Sequence, residues 1–327
     1  MMIFFNFYVI LNMIGVYMKN EYIKSPINYT GNKYRLLPQF AKFFPKKRCR
    51  LFVDLFCGGA TVGINMDADK IVMIDNNPRV ISLLKYLSRE DLNVIIKGVE
   101  KIIDKYNLTY SAKNGYSFYK KAKKDNNGLK EFNSEGFYKL REDYNKLKDK
   151  NTNKANIMLY TLMVYGFNND IRFNKYGEYN LPVGKTDFNK NNIEKISDYN
   201  TLAKKKNIEF ICTNYNSEEA KEYIFNADFV YVDPPYLITT AVYNEGNNWN
   251  DETEKELISL LDEINKKKIK FALSNVLTKV GVENTILHDW LIKNPEIKIN
   301  NMDYHYRSCS YNKKDRDANE QEVLITN

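Results

Sequence analysis

The sequence predicts an α/β protein organised around a mostly parallel sheet. Two short apolar runs, residues 50–56 and 70–75, have the composition of buried strands, and each carries an aspartate at or near its end. A glycine-containing turn, residues 57–60, follows the first run, and helical spacing over 79–87 follows the second. This succession is typical of α/β sheets whose ligands bind at the strand ends.

The remaining elements follow along the chain. Helical spacing over 135–150 and 157–165 predicts two helices, and turn-forming residues 174–178 between β-prone stretches predict a hairpin. Strands are expected over 208–212, 229–233, 269–274 and 322–326, and a helix over 251–267. Residues 88–206 are rich in lysine, asparagine and tyrosine and contain no comparable buried strand.

We therefore expect residues 19–87 and 207–327 to form the α/β domain, and residues 88–206 to form an insertion. Residues 1–18 are uncharged and mostly apolar, but they lack the basic start and cleavage site of a secretory signal. Asn6 and Asn12 interrupt this run, which argues against a membrane span. We expect an N-terminal extension, with translation beginning at Met18, and a cytoplasmic protein without a membrane partner.

The charge distribution indicates the kind of partner. The net charge is +8, from 49 basic and 41 acidic residues. Residues 1–50 hold nine basic and one acidic side chain, and residues 101–200 hold nineteen and twelve. Two basic stretches favour a polyanionic partner that contacts part of the surface, with solvated surface lysines as the alternative.

The cysteine and histidine content excludes several kinds of site. The four cysteines are scattered without a CxxC pair, which argues against a disulfide framework or a structural zinc site and fits a reducing cytosol. The sequence has two histidines, His288 and His305. A histidine-based hydrolase or a multi-histidine metal centre is therefore not expected.

Two motifs at predicted strand ends are suited to a nucleoside-type ligand. Asp54 precedes a turn in which Gly58 would let the backbone approach a ligand closely, and the absence of GxGxxG disfavours a dinucleotide. Asp75 ends the second strand, where a carboxylate can accept hydrogen bonds from ribose hydroxyls. Ordinary glycine turns and solvated carboxylates are the alternatives at these positions.

A third motif, Asp233-Pro234-Pro235-Tyr236, follows the apolar run 229–232. Proline cannot donate ladder hydrogen bonds, so the pair ends the strand abruptly. The carboxylate and a proline carbonyl then remain as acceptors near one point, with an aromatic ring beside them. This combination suits a planar base that bears an amino group, and a rigid turn is the alternative.

Together these motifs resemble those of the Dam-type (D12 class) adenine-specific DNA methyltransferases. Residues 25–33 (SPINYTGNK) are similar to the family's amino-terminal cofactor motif, and residues 167–182 (FNNDIRFNKYGEYNLP) to its target-recognition hairpin. The motifs appear in family order from residue 24 to the end. The resemblance implies a Rossmann-like, S-adenosylmethionine-dependent methyltransferase sheet with an inserted, mainly helical target-recognition domain that carries a β-hairpin.

The resemblance also implies that S-adenosyl-L-methionine binds at the strand ends and that no metal ion takes part. The residues that match the family's cofactor motifs are Tyr29, Lys33, Asp54, Phe56, Gly58, Asp75 and Asp233. The family often continues its loop as Gly-x-Gly, whereas Gly59-Ala60 stands here. That departure puts the local shape of the loop in question.

The catalytic residues implied by the resemblance are Asp233, Pro234, Pro235 and Tyr236. A target adenine must be flipped out of the duplex, at a cost on the order of a few kcal/mol. We expect Tyr236 to stack on the flipped ring, while Asp233 and the Pro234 carbonyl accept hydrogen bonds from its 6-amino group. Ser274-Asn275 matches the family's Ser-Asn and is expected to line the base pocket.

The expected partner is double-stranded DNA, with a GATC-like site favoured. Arg172 is the main candidate for a bidentate contact with guanine. The weaker companions are Asn169, Asp170, Asn180 and Pro182. Lysines 120, 121, 123 and 124 are expected to contact phosphates or to face solvent, and residues 305–311 to close on DNA or to form a plain surface loop.

The sequence therefore predicts a site-specific DNA adenine methyltransferase of a restriction–modification system. A cognate restriction endonuclease is a candidate second partner, and a solitary enzyme is the alternative. Two rival functions remain: a catalytically silent, sequence-specific DNA-binding protein, and a methyltransferase that acts on cytosine amino groups, RNA or a protein amide. The intact cofactor and catalytic motifs argue against the first, and the catalytic aspartate and hairpin against the second.

Overall fold

A computed structural model describes residues 22–120, 127–238, 249–279, 281–303 and 322–327. The predicted extension, residues 1–18, lies outside the described residues. The strands are β1 (Cys49–Leu55), β2 (Ala68–Asp75), β3 (Ile208–Cys212), β4 (Phe229–Val232), β5 (Lys270–Val276), β6 (Thr278–Lys279), β7 (Val282–Glu283), β8 (Lys298–Asn301) and β9 (Glu322–Thr326).

Helices precede and follow most of these strands. They are α1 (Leu37–Phe40), α2 (Thr61–Asn65), α3 (Pro78–Arg89), α4 (Leu92–Lys105), α5 (Ser111–Asn114), α6 (Tyr116–Lys120), α7 (Lys130–Asn145), α8 (Asn153–Tyr165), α9 (Lys190–Ala203), α10 (Glu218–Asn226), α11 (Asp251–Lys266) and α12 (Thr285–Lys293). In the part of the chain that the structure describes, no helix has the length and apolar character needed to cross a membrane.

Seven strands form the central sheet, in the order β3-β2-β1-β4-β5-β9-β8. The five strands from β3 to β5 are parallel, and β9 runs antiparallel to both β5 and β8. A separate antiparallel pair consists of β6 and β7. The mostly parallel α/β sheet predicted from the sequence is thereby confirmed.

The central strands are apolar on both faces because helices cover both sides of the sheet. In β1, Phe52 packs into one core and its neighbour Val53 into the other, as the two-residue period of a strand requires. The core on the Phe52 face includes α1, α2 and α3 and continues into the helices of residues 92–203. The opposite core is formed by α10, α11 and α12.

The region between β2 and β3 is helical and is organised around α8. Every residue of α8 from Ala155 to Tyr165 is buried, as expected for a helix that is enclosed on all sides. At the end of this region, α9 packs against α3, where the Asn200 side chain donates hydrogen bonds to the carbonyls of Leu87 and Glu90. The sheet and the inserted helices therefore share one continuous core.

The predicted hairpin is present between α8 and α9. Antiparallel bridges pair Phe173 with Tyr179 and Gly166 with Val183, and the Gly177 N–H donates to the Asn174 carbonyl at the turn. We call residues 165–184 the recognition hairpin, after the role that the family resemblance implies for it. Its strands are held by single bridges rather than by a continuous ladder, so its shape depends on side chains from neighbouring helices.

The structure contains several elements that the sequence-based expectations lack. The helix expected over 135–150 spans Lys130–Asn145, and no predicted element corresponds to α4, α5, α6, α9, α10, α12, β6, β7 or β8. In α4, Ile95, Val99 and Ile103 are buried at a spacing of four residues. Seven of the fourteen residues of α4 are apolar, so the helical signal is present in the sequence of this segment and was missed.

Candidate active site

The carboxyl ends of β1, β2 and β4 meet at one edge of the sheet. From β1, the strand order runs to β2 and β3 on one side and to β4 and β5 on the other, so it reverses between β1 and β4. Ligands of open α/β sheets bind outside the strand ends at such a point. The structure brings the predicted glycine loop, Asp75 and the Asp233–Tyr236 motif together at this edge.

The loop after β1 has an unusual backbone. Phe56, Gly58 and Ala60 have φ values of 65°, 47° and 59°, in the left-handed region. A Cβ added to Gly58 would lie 2.9 Å from a ring carbon of Tyr29, so this approach requires glycine. Ala60 stands where the resemblance expects glycine and keeps a glycine-like conformation, at a cost of roughly 1 kcal/mol.

Asp75 is bound to the glycine loop. Its Oδ2 accepts a hydrogen bond from the Gly58 N–H at 2.9 Å, and its Oδ1 accepts one from the Asn77 N–H at 2.9 Å. Burial raises the pKa of Asp75, while these backbone donors oppose the rise. The carboxylate is therefore placed by β2 and fixed by the loop that follows β1.

Asp54 lies deeper in the molecule than the sequence suggested. Its side chain is 1% exposed, and its Oδ2 accepts a hydrogen bond from the Gly63 N–H of α2 at 2.7 Å. Burial is the main cause that raises the pKa of Asp54 to about 7. This carboxyl joins β1 to α2 and contributes a buried ionisable group directly behind the strand ends.

Asp233 is the centre of a buried polar cluster. Its Oδ1 lies 3.2 Å from Lys33 Nζ and accepts a hydrogen bond from the Tyr236 hydroxyl at 3.1 Å. Lys33 Nζ also donates to the Gly31 carbonyl at 2.7 Å and lies 5.1 Å from the centroid of the Tyr236 ring. The amino-terminal motif and the catalytic motif therefore meet in one pocket.

The charges in this pocket oppose one another. Burial raises the pKa of Asp233, whereas the Lys33 ammonium and the hydrogen bond from Tyr236 lower it. The Lys33 side chain is 3% exposed and that of Asp233 is 18% exposed. A buried ammonium of this kind requires carboxylate partners, because desolvation otherwise disfavours its charged form.

A second carboxylate in the pocket was not foreseen from the sequence. Glu322, the first residue of β9, is 1% exposed, and its Oε1 lies 3.5 Å from Lys33 Nζ. The Tyr236 hydroxyl donates to the same oxygen at 3.3 Å. In the sequence, Glu322 is a charged residue at the start of the apolar run 322–326. That pattern predicts the beginning of a strand, and it does not predict a buried carboxylate.

Three aromatic rings form a cluster at the outer side of the glycine loop. Phe56 lies 5.0 Å from Tyr215 and 5.7 Å from Trp249, measured between ring centroids. Tyr215 follows β3, and Trp249 precedes α11, where its indole N–H donates to the buried Glu254 at 2.7 Å. Sequence reasoning identified Phe56 but missed the other two, because they belong to loops far apart in the chain.

The Ser274-Asn275 pair of β5 is fully buried. The Ser274 hydroxyl is hydrogen-bonded to the Tyr231 hydroxyl at 2.7 Å, on the face of β4 that also packs on α1. Adjacent strand residues point to opposite faces, so Ser274 and Asn275 do not share one pocket. That each of these two residues lines the pocket of the target base remains a prediction, but it now applies to Ser274 and to Asn275 individually.

In the recognition hairpin, Arg172 is paired with Asn180. The Arg172 Nε–H donates to Asn180 Oδ1 at 2.9 Å across the two strands. This contact orients the guanidinium and uses its Nε, so the two terminal nitrogens form the edge that is suited to a bidentate acceptor. Pro182 is exposed on the returning strand, and its carbonyl accepts from the Phe167 N–H at 2.8 Å.

The other predicted DNA-contacting residues bind within the protein. The Asn169 side chain donates to the Val164 carbonyl and to the Thr186 hydroxyl. Asp170 Oδ2 accepts a hydrogen bond from the Thr30 hydroxyl of the amino-terminal motif at 2.9 Å. These contacts fix the start of the recognition hairpin and join it to the segment that also carries Tyr29 and Lys33.

Some sequence predictions fall outside the described residues. They concern lysines 121, 123 and 124, the side chain of Lys120, and the loop 305–311. Within the described ranges, no group of three or more His, Cys, Asp or Glu side chains is arranged to hold a metal ion.

Comparison with known families gives a match over residues 29–315 to the D12 class N6 adenine-specific DNA methyltransferase model. The chain is 37% identical to Type II methyltransferase M.FokI of Planomicrobium okeanokoites over 320 residues, which cover 96% of this chain and 44% of that protein. It is 34% identical to modification methylase StsI of Streptococcus sanguinis over 323 residues, covering 97% and 45%.

A shorter relative is DNA adenine methylase of Escherichia coli (strain K12), which is 26% identical over 269 residues covering 80% of this chain and 85% of the relative. By contrast, the chain spans less than half the length of M.FokI and of StsI.

Proposed function

Because this chain belongs to the D12 class of N6 adenine-specific DNA methyltransferases, we propose that it methylates the 6-amino group of a flipped adenine in a short duplex site. S-adenosyl-L-methionine is the proposed methyl donor, a GATC-like sequence the favoured target, and a restriction–modification system the favoured setting. The observation that carries the proposal is the buried pocket in which Asp233, Tyr236 and Lys33 meet at the end of β4.

The residues at the strand ends fit S-adenosylmethionine. Asp75 presents a fixed carboxylate at the end of β2, suited to the ribose hydroxyls, and the Gly58 turn allows close approach of the backbone. The Phe56 and Tyr215 rings, 5.0 Å apart, offer apolar surface to a purine. When bound, the cofactor supplies an electrophilic methyl group on its sulfonium.

The chain's own residues position the target base. Tyr236 offers its ring face to a flipped purine, which offsets part of the lost stacking. Asp233 and the Pro234 carbonyl are placed to accept hydrogen bonds from the 6-amino group, and these contacts direct its lone pair toward the methyl donor. Orientation of this kind accounts for a large share of the rate of a direct displacement.

The recognition hairpin is proposed to supply sequence specificity. Arg172, oriented by Asn180, is suited to a guanine edge in the major groove. Asn169, Asp170 and Pro182 then act mainly through the shape of the hairpin. In this proposal residues 88–206 are the target-recognition insertion, and residues 19–87 with 207–327 are the catalytic unit.

The test uses the full chain with methyl-labelled S-adenosylmethionine and a panel of duplexes of different sequence. Digestion of the DNA to nucleosides should give labelled N6-methyldeoxyadenosine, and methylome sequencing of expressing cells should give the site. Label in cytosine or in RNA would support a different acceptor. Sequence-specific binding without any transfer would support the catalytically silent alternative.

A further inference from the structure

Glu322 and Asp233 share the same two hydrogen-bond donors. Lys33 Nζ lies 3.2 Å from Asp233 Oδ1 and 3.5 Å from Glu322 Oε1. The Tyr236 hydroxyl lies 3.1 Å and 3.3 Å from these same two oxygens. A tyrosine hydroxyl has one proton, so it donates to one of the two carboxylates at a time.

This sharing bears on the proposed role of Asp233. Its Oδ1 is approached by Lys33 Nζ and, when that hydroxyl does not donate to Glu322, by the Tyr236 hydroxyl, and a carboxylate oxygen has room for about two hydrogen bonds. An incoming amino group that binds this oxygen must therefore replace Lys33 or Tyr236. Lys33 is 3% exposed, so its displaced ammonium needs another carboxylate within reach.

We propose that Glu322 is a positioning residue that takes over the Lys33 ammonium and the Tyr236 hydroxyl when Asp233 engages the target base. The inference rests on the proposed function, because it assumes an amino group that binds Asp233. Glu322 already lies within contact distance of both donors, so the transfer requires only small movements. Its place at the start of β9 keeps the carboxylate fixed while the donors change partner.

The charge balance predicts what happens when Glu322 is neutralised. In Glu322→Gln, the ammonium of Lys33 loses the Glu322 carboxylate and is drawn more strongly to Asp233, so it competes with the base amino group. The other titratable groups that face Asp233, Asp54 of β1 and Tyr231 of β4, are unchanged. Loss of a negative neighbour also favours the ionised form of Asp233 and lowers its pKa.

The experiment measures kcat, KM and the pH dependence of methyl transfer by Glu322→Gln. We expect kcat to fall about 10- to 100-fold, with KM for S-adenosylmethionine within about threefold of wild type. The acid limb of the kcat profile should move to lower pH. Glu322→Asp, which keeps the charge on a shorter side chain, should recover part of the activity.

Glu209→Gln is the matched control, because Glu209 is a partly exposed glutamate of β3 that pairs with Lys70 at 2.7 Å outside the pocket. It should leave kcat and the pH profile unchanged. Wild-type kcat in Glu322→Gln would overturn the inference. The inference would also be overturned if kcat fell while the acid limb stayed in place and the melting temperature fell as well. That combination is the result expected of a purely structural role. An inactive wild-type chain would instead overturn the proposed function, and with it this inference.

Discussion

The proposed catalytic pocket and the recognition hairpin are held in place by different parts of the structure. Asp233 and Glu322 lie directly at the ends of β4 and β9, so the sheet fixes their backbone. The recognition hairpin instead depends on side chains of helices: Asn145 of α7 binds both the N–H and the carbonyl of Tyr179, and Arg141 donates to the Leu181 carbonyl.

The difference lies in burial as well as in support. The pocket groups are buried and charged, and desolvation controls their pKa values and their mutual attraction. On the recognition hairpin, Phe167 and Tyr176 are 48% and 76% exposed. Changes in the pocket should therefore alter rate and pH dependence, whereas changes on the hairpin should alter the choice of DNA sequence. The four predictions below test this separation.

The largest effect is expected for Asp233→Ala. The variant loses the proposed acceptor for the base amino group, so the single-turnover rate of methyl transfer should fall roughly 10³-fold. Folding should be retained, because Glu322 still faces the Lys33 ammonium. Asp289→Ala, at an exposed aspartate of α12, is the control and should be fully active. Methyl transfer by Asp233→Ala near the wild-type rate would remove Asp233 from the mechanism.

The sequence was a good guide to the pocket because its motifs are local. Asp233 to Tyr236 follow an apolar strand directly, so the strand prediction also placed the motif at the sheet edge. Partners that come from distant segments left no such signal. Glu322 is 86 residues from the tyrosine it contacts, and its character as a buried carboxylate depends on packing that no local pattern contains.

Asp54 should make folding stability depend on pH. Its pKa is raised by burial to about 7 in the folded protein, above the ordinary value of 3.8. The native state therefore holds this proton more tightly, and the contribution of Asp54 to stability decreases as pH rises from about 4 to about 7. The loss should amount to a few kcal/mol, at about 1.4 kcal/mol per unit of pKa.

Denaturant unfolding of wild type and Asp54→Asn at pH 5 and pH 8 measures this contribution. The asparagine variant does not titrate, so its stability relative to wild type should be higher at pH 8 than at pH 5. Asp75 and Asp233, whose pKa values are also raised by burial, are present in both proteins, so the difference reports Asp54 together with its electrostatic coupling to these two groups. Parallel stability curves would show that Asp54 is not protonated in the folded state at acidic pH.

On the recognition hairpin, Arg172→Ala should change specificity rather than rate. Loss of a bidentate base contact should cost about 1–3 kcal/mol of discrimination at one base pair. Lys175→Ala, at an exposed lysine of the same hairpin, should weaken binding to all duplexes alike. The measurement is kcat/KM on the cognate duplex and on each single-base variant. Equal losses on cognate and scrambled duplexes for Arg172→Ala would contradict the assignment.

The recognition hairpin also shows which features a local sequence pattern does not contain. Its turn residues predicted a hairpin, and the structure contains one, because turn chemistry is local. The roles of the side chains were harder to predict. Asn169 and Asp170 have the composition of a DNA-contacting segment, yet both bind groups of the protein, and nothing in the local sequence distinguishes an inward from an outward polar side chain.

The smallest effect is expected where the two regions touch. Two hydrogen bonds join residues 25–33 to the recognition hairpin: the Thr30 hydroxyl donates to Asp170 Oδ2 at 2.9 Å, and the Asn28 side chain donates to the Asn168 carbonyl at 3.4 Å. The Thr30–Asp170 pair is exposed, and water competes for both groups, so Thr30→Val should cost only about 0.5–1.5 kcal/mol. We expect this cost to appear in the coupling between S-adenosylmethionine binding and DNA binding, rather than in the affinity for either ligand alone.

Titration of S-adenosylmethionine with and without cognate duplex measures that coupling. In wild type, DNA should strengthen cofactor binding, because a fixed hairpin also fixes residues 28–33. Thr30→Val should reduce this enhancement about two- to tenfold, the equivalent of one hydrogen bond. Thr201→Val, at an exposed threonine of α9, should leave it unchanged. An unaltered enhancement in Thr30→Val would mean that pocket and hairpin act independently despite their contact.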